Sequence, residues 1–544
     1  MAPLHPASSV PAASSDFEPK KVYPAVGFVT FFAAHPALVT VIFITVLLQA
    51  YLLGVSAPNQ FPDSGVYFDT GRAFLGGDWG FNHFAYRTPG YPLFLAFGES
   101  LFGRDAFGAI MGLQIVTGIA LPPLLYGLFR MITPLRWLAA AGALSFYLDR
   151  FSVGMQTVLL TEWFSALSVV AVLVVFRYGL TQLSWKTALL AGVVMGFNIL
   201  IRPSFNFLPL CLALGAAGVL FLAYGSTFLP RWKPFTAWLV STVLIAWLVT
   251  LPWRLFLWSK FGTLTLSFIL GVSLSNHMGP VMEKAPDRYG DVRDLYVKIR
   301  TSRENQNHMD VGWQVLWDHQ AATGESHAVA AKKLQGASQA LILREPGLYA
   351  RQLWDGWNRI WNETPYYITD LTDPYGNPRG VEPTAYFINF VVSGPLNPFY
   401  QFLDKQLWTV PGRLVLVPWT ILALGMALTF ISRREPFSVI TIWMIIGTVF
   451  YHCLVHIAAN YTEFGRYRLP AQPLWFPLMI FGAGALLAHA VQTWRESLAA
   501  DESHPGQPRQ SQAAVSPRES KSSEISSAAS LSKGSGRRSR KSRK

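Results

Sequence analysis

The sequence predicts an all-α polytopic membrane protein with about ten transmembrane helices, in a range of about nine to thirteen. Three observations carry this. Hydrophobic residues make up 51% of the chain and charged residues 14%, whereas a soluble globular chain carries roughly 25% charged residues. Mean hydropathy is positive, at +0.30. Apolar runs recur at lengths near the ~20 residues needed to cross ~30 Å of hydrocarbon.

The runs are, in order, 36–55, 106–131, 135–148, 157–176, 187–201, 205–223, 235–253, 414–431, 437–457 and 470–491. The first ends without a small-residue cleavage pattern, so it reads as a retained span. The stretch 89–103 is apolar but short and interrupted by Gly98 and Glu99, which suits an interfacial segment. The run 135–148 is short, and 187–201 and 205–223 are separated by little. Cys211 and Cys453 both fall inside spans, where thiols behave as small hydrophobes. Two such residues form neither a disulfide framework nor a metal site.

Five regions follow: a cytoplasmic N-terminal segment (1–35), a transmembrane region (36–254) with a first outer loop at 56–105, an extracytoplasmic loop domain (255–410), a C-terminal transmembrane region (411–492) and a disordered basic cytoplasmic tail (493–544). The net charge of +13 has a topological cause. Lys20 and Lys21, Arg130 and Arg136, Arg177 and Lys186, Arg231 and Lys233, and Arg433 and Arg434 fall in alternate connections. Basic connections mark the cytoplasmic side, so both termini are expected inside and the 56–105 loop outside. The tail suits contact with anionic lipid, and its basic pattern is too weak to assign a nucleic-acid partner. Within 255–410, residues 328–343 have helical composition, Pro346 ends that run, and 348–360 restarts it with Leu353, Trp354, Trp357 and Ile360 on one face. These aromatics fit headgroup anchoring.

Ionisable residues gather at the outward ends of the spans. Asp63 follows the first span; Asp149 and Glu162 flank the start of the fourth; Arg202 closes the fifth and Arg254 the seventh; Glu463, Arg466 and Arg468 precede the last. A charge at the bilayer centre costs on the order of 2.5 to 3.5 kcal/mol, and outward arginines run against the positive-inside bias. A lone loop Asp is ordinarily solvated, and each arginine taken singly could pair with a neighbouring acid or snorkel. Taken together they fit a phosphate-binding cavity with a carboxylate base, because desolvation lifts an acid toward the range of a usable base.

The motifs resemble the GT-C superfamily of membrane glycosyltransferases, nearest to its protein O-mannosyltransferase and aminoarabinose transferase branch. They are the acid after the first span (Asp63), Arg-x-Pro-x-Tyr-Pro-Leu from Arg87 to Leu93, Thr161-Glu162, Arg202-Pro203, Pro252-Trp253-Arg254, and Arg-Tyr-Arg-Leu-Pro from Arg466 to Pro470. They cover about residues 36 to 490. The resemblance implies a GT-C fold whose outer loops form the active site. It also implies inverting transfer of a sugar from a polyprenyl-phosphate donor to a hydroxyl acceptor, in a glycolipid, an envelope glycan or a protein, at the outer face of a bacterial inner membrane.

By this resemblance Asp63 is the general base. Glu162, with Arg87, Tyr91 and Asp149, binds the substrate, and Arg202, Arg254, Arg466 and Arg468 bind the donor phosphate, with Arg468 and Arg254 ranked above Arg202. Many relatives carry a second acid after the base, whereas Ser64 stands here, which weakens a two-carboxylate metal clamp. No metal ligands are assigned, and a divalent cation is left as an open requirement. No Walker pattern or Gly-rich phosphate loop is present. Two other classes compete: a transporter or flippase for a lipid-linked or anionic substrate, and a non-catalytic assembly or export partner.

Overall fold

The computed structural model describes residues 34–56, 58, 60–224, 232–302, 311–363, 398, 416–432, 435–460 and 463–502. Lys20, Lys21, Arg231, Arg433 and Arg434, on which part of the inward assignment rests, lie outside the described residues, as do 503–544 of the tail, 303–310, 364–397 and 399–410 of the polar segment and 411–415 after it. The chain divides into two units, Met1–His489 and Ala490–Lys544. Everything in the candidate site belongs to the first. Of the second, residues 490–502 are described, and they are helical.

The regular elements among the described residues are helices. They are α1 (Pro36–Val55), α2 (Pro62–Gly76), α3 (Gly90–Phe102), α4 (Phe107–Thr117), α5 (Leu121–Arg130), α6 (Arg136–Leu144), α7 (Arg150–Gly154), α8 (Thr161–Gln182), α9 (Trp185–Ile201), α10 (Leu208–Tyr224) and α11 (Trp232–Phe261). After these come α12 (Ile269–Met278), α13 (Gly290–Ser302), α14 (Val311–Thr323), α15 (His327–Arg344), α16 (Pro346–Asn362), α17 (Leu416–Ile431), α18 (Pro436–Ala459), α19 (Phe464–Arg468) and α20 (Gln472–Glu502). Among the described residues, seven helical stretches are long and apolar enough to cross a membrane: Pro36–Val55, Phe107–Arg130, Thr161–Gln182, Pro203–Leu222, Trp232–Phe261, Pro436–Ala459 and Phe464–Ala499. Trp185–Ile201 and Leu416–Ile431 are shorter and also apolar. This is a polytopic helical membrane protein.

Three expectations are corrected. The run 135–148 becomes the nine-residue α6 followed by a 3-10 turn, Ser145–Leu148, and nine residues at about 1.5 Å each fall well short of a bilayer. The seventh span does not stop at Trp253, since α11 continues through Pro252 to Phe261. The Trp253 indole donates to the Leu266 carbonyl at 2.9 Å and its ring packs against Phe74 and Phe84, so tertiary packing carries the helix past the proline. Trp354 leaves the face shared by Leu353, Trp357 and Ile360. It is 65% exposed while Ile360 is buried, because one residue after Leu353 lies about 100° further round the helix.

Small residues let the spanning helices close up. A Cβ on Gly192 of α9 would stand 2.6 Å from Ile245 Cβ and 2.9 Å from the Thr242 carbonyl of α11, the close approach that glycine permits between membrane helices. The polar lobe of α12 to α15 has its own core, including Val272, Met278, Tyr296, Val315, Leu334 and Leu341. It is tied to the first loop where Phe268 N donates to the Ala85 carbonyl (2.7 Å) and Ser267 Oγ to the Tyr86 carbonyl (3.1 Å). Tyr349 Oη donates to the Ala458 carbonyl at the end of α18 (2.7 Å).

Candidate functional site

Asp63 sits in the first turn of α2, where Pro62 suits a helix start and a carboxylate is favoured by the helix dipole. Ser64, in the place of a second acid, is fully buried and its Oγ accepts the Phe61 N–H at 2.9 Å. It closes the start of α2 and cannot act as a cation ligand clamp. One turn on, Tyr67 lies under the Arg87 guanidinium, 4.6 Å from ring centroid to Cζ, and its hydroxyl accepts from Arg87 Nη1 at 3.2 Å.

The segment that carries Arg87 is held by Gly90. A Cβ there would meet the Leu200 carbonyl oxygen at 2.7 Å and Ile201 N at 2.8 Å, so only glycine lets the start of α3 rest on the last turn of α9. Arg202, the next residue after α9, is thereby brought to the same cavity as Arg87.

Both Asp63 oxygens are taken by guanidiniums: Oδ1 accepts from Arg87 Nη2 at 2.6 Å and Oδ2 from Arg466 Nη2 at 2.9 Å. Its side chain is 31% exposed. Burial alone would raise this carboxyl, but the two arginines outweigh it and hold Asp63 well below the usual carboxylate range. Arg466 is the hub. Besides Asp63, its Nε donates to buried Glu162 at 2.8 Å and its Nη1 to Glu463 at 3.1 Å. Glu162 also faces Arg202 at 3.4 Å. Glu463 holds a left-handed backbone, φ 55°, which is uncommon for a residue with a side chain. Burial pushes its carboxyl up to about 7, with Arg466 opposing.

These residues open on a cavity of about 640 Å³. Asp63, Arg87, Glu162, Arg202, Arg254 and Arg466 all line it. Even with Glu463 counted against Arg466, four arginines face three carboxylates, which leaves a surplus of positive charge at the wall. Arg254 is the least neutralised of these, since its fork is held by Asn206 Oδ1 at 2.6 Å and Thr250 Oγ1 at 3.0 Å and, among the described residues, by no carboxylate. Leu264, Leu266, Ile269, Leu270, Leu274 and Val455 give the cavity an apolar side.

Three sequence-predicted residues do not reach the wall. Arg468 is 1% exposed and donates through Nη1 to the carbonyls of Ile360 (2.7 Å) and Trp361 (2.9 Å). Asp149 is fully buried, caps α7 through Phe151 N and Ser152 N, and accepts from Gln472 at 2.9 Å. Burial raises its carboxyl against those hydrogen bonds. Tyr91 is buried, donates to Gln114 Oε1 at 3.1 Å and packs edge-on against Tyr67. Each shapes the neighbourhood without facing the cavity.

Sequence reasoning missed Tyr67, Asn206 and Tyr467. The first had a signal, since it stands one helical turn from Asp63. Tyr467 lies beneath Arg202, 5.6 Å from ring centroid to Cζ. Cation ligation finds little geometry here, because the cavity acids each face a guanidinium. The acid and imidazole group whose ligand atoms lie within 4.8 Å of one another, among the described residues, is Asp291, His319 and Glu325 in the polar lobe. The Lys333 ammonium stands 2.6 Å from both of its carboxylates.

No family model matches the chain, and no curated protein matches it. Similar solved structures include the archaeal oligosaccharyltransferase AglB from Archaeoglobus fulgidus in complex with an inhibitory peptide and a dolichol-phosphate, at 12% identity and TM-score 0.44, covering 88% of this chain and 53% of that one. They also include ArnT from Cupriavidus metallidurans bound to undecaprenyl phosphate, at 15% identity and TM-score 0.31, covering 84% and 77%. The chain spans about half the length of the AglB chain. Likeness at this level does not carry function across, which has to be argued from the site.

Proposed function

We propose that this protein is a membrane glycosyltransferase of GT-C type, moving a sugar from a polyprenyl-phosphate donor to an acceptor hydroxyl in the cell envelope with inversion. It works at the outer face of a bacterial inner membrane, with both termini in the cytoplasm. The observation that carries this reading is the arginine surplus on a cavity that also has an apolar side and a carboxylate. That combination suits an anionic headgroup on a lipid chain.

In the reaction the acceptor oxygen attacks the anomeric carbon from the face opposite the phosphate. The bond from carbon to phosphate oxygen breaks, its electron pair stays on the phosphate, and the hydroxyl proton passes to Asp63. Arg254 and Arg202 stabilise the charge that grows on the phosphate, which guanidinium forks in a dry cavity do well. Glu162 orients a sugar hydroxyl, and Arg87 fixes Asp63. No step is assigned to a divalent cation.

Mass spectrometry of envelope lipids and glycans tests this in a strain lacking the gene. Loss of one glycosyl mass increment, restored by the wild-type chain, is expected. An envelope unchanged in every glycolipid, glycan and glycoprotein fraction would overturn the reading.

A further inference from the structure

Arg466 meets three carboxylates from three separate segments: Asp63 of the first loop, Glu162 at the start of α8, and Glu463 just ahead of α19. All three of its guanidinium nitrogens are thereby used on the protein's own acids. A guanidinium binds phosphate through the same planar fork it offers a carboxylate. An arriving phosphate and these acids therefore compete for one donor set.

We infer that Asp63 and Glu463 are internal competitors occupying the anion site of Arg466, and that a lipid phosphate binds by displacing them. This rests on the glycosyltransferase reading and adds to it a coupling between donor binding and the base. With both oxygens bonded to guanidiniums, Asp63 is poorly placed to take a proton. When phosphate draws Arg466 away, Asp63 keeps only Arg87 and its Oδ2 becomes available to an acceptor hydroxyl. The base is freed only with the donor in place, and a free base beside an empty cavity is avoided. Arg254, which among the described residues has no carboxylate to release, provides the first hold on the phosphate.

The geometry divides the hub unequally. Glu162 is buried, bonds Arg466 at 2.8 Å and also faces Arg202, so it stays as the fixed anchor. Asp63 is 31% exposed and Glu463 17% exposed, which makes them the partners that can move aside. The left-handed backbone of Glu463 is a conformation with an intrinsic cost, and release of its side chain gives that strain an outlet.

The test uses the full chain in detergent micelles, with undecaprenyl monophosphate as probe and undecaprenol as its uncharged control. Removing a competing charge while keeping shape should tighten binding. Asp63→Asn and Glu463→Gln are each expected to bind the monophosphate about fivefold to tenfold more tightly than wild type, the scale of one ordinary net hydrogen bond. Undecaprenol binding should not change.

The gain should vanish in an Arg466→Lys background, which keeps the charge and removes the fork. If the gain persists there, general electrostatics explains it and the competition is refuted. Wild-type affinity or weaker in the folded single variants also overturns the inference while leaving the glycosyltransferase reading intact. A wild-type chain that does not prefer the monophosphate to undecaprenol overturns both. Should Asp63→Asn fail to fold, Glu463→Gln alone decides.

Discussion

Two clusters in this molecule join acids to a cation, and they differ in almost everything else. Around Arg466, the acids come from segments 403 and 304 residues away as well as from next door, the hub is buried, and a cavity opens beside it. Around Lys333, Asp291 and Glu325 belong to one lobe, both carboxylates are about two-fifths exposed, and the ammonium fills the space between them. The comparison teaches that charge density does not make a site. Burial supplies the low dielectric that makes charges strong, and an excess of one sign leaves something for a ligand to satisfy. The Lys333 cluster has an extra carboxylate but no burial, so water satisfies the excess, and the cluster serves to pin α13 to α15.

The largest separation between the two clusters is expected in turnover. Asp63→Asn keeps the shape of the carboxylate and removes its basicity, and losing a general base typically costs about 100- to 10,000-fold. Asp291→Asn removes a carboxylate of equal charge from the other cluster and should leave turnover within about twofold of wild type, as a surface change far from the chemistry does. Initial rates of both purified variants with the same donor and acceptor decide it. Similar losses in the two would erase the distinction drawn here.

A smaller effect separates the clusters by pH. Glu463 carries a carboxyl raised to about 7 from an ordinary 4.5, so the folded chain binds that proton more tightly than the unfolded chain. Its contribution to stability is fully present below about pH 4.5 and is lost as pH rises through about 7, worth about 3 kcal/mol at one unit per 1.36 kcal/mol. Asp63 has the opposite sign: its depressed carboxyl gives stability above its ordinary value, lost only in acid, outside this window. Thermal melts in detergent from pH 5 to pH 8 should show wild-type Tm falling relative to that of Glu463→Gln. Parallel curves for the two would contradict the buried, raised carboxyl.

Much of the site was legible because charges that interrupt apolar runs are conspicuous. Asp63, Glu162, Arg202 and Arg254 each stand out against such a run, and all four line the cavity. Arg466 and Arg468 look equivalent in Arg466-Tyr467-Arg468, yet they part ways in the fold. Two residues apart on a helix is about 200° of rotation, so when Arg466 faces Asp63, Arg468 must face away, toward the Ile360 and Trp361 carbonyls. Asp149 turns away from the cavity for a related reason. Followed by Ser152, it has the spacing of a helix cap, a local pattern that accounts for it without any ligand. What no local pattern could reveal is the convergence on Arg466 from three segments, since partners hundreds of residues apart leave no period in a sequence.

The smallest predicted effect concerns the Lys333 cluster itself. Lys333 is 30% exposed and its two acids are 39% and 42% exposed, so water screens every pair, and exposed ion pairs are typically worth about 0 to 1 kcal/mol. His319 complicates this, because its Nε2 lies 3.1 Å from Asp291 and 3.5 Å from Glu325 while the ring itself is buried. Removing the ammonium with Lys333→Gln leaves two carboxylates near one imidazole, and water at these exposed acids screens their mutual repulsion. The expected outcome is a Tm within about 2 °C of wild type at both pH 6 and pH 8. Melts of the variant at the two pH values measure it. A fall of many degrees at both would mean that the lobe depends on Lys333 as the cavity depends on Arg466, and the contrast between a screened surface cluster and a buried functional one would not hold.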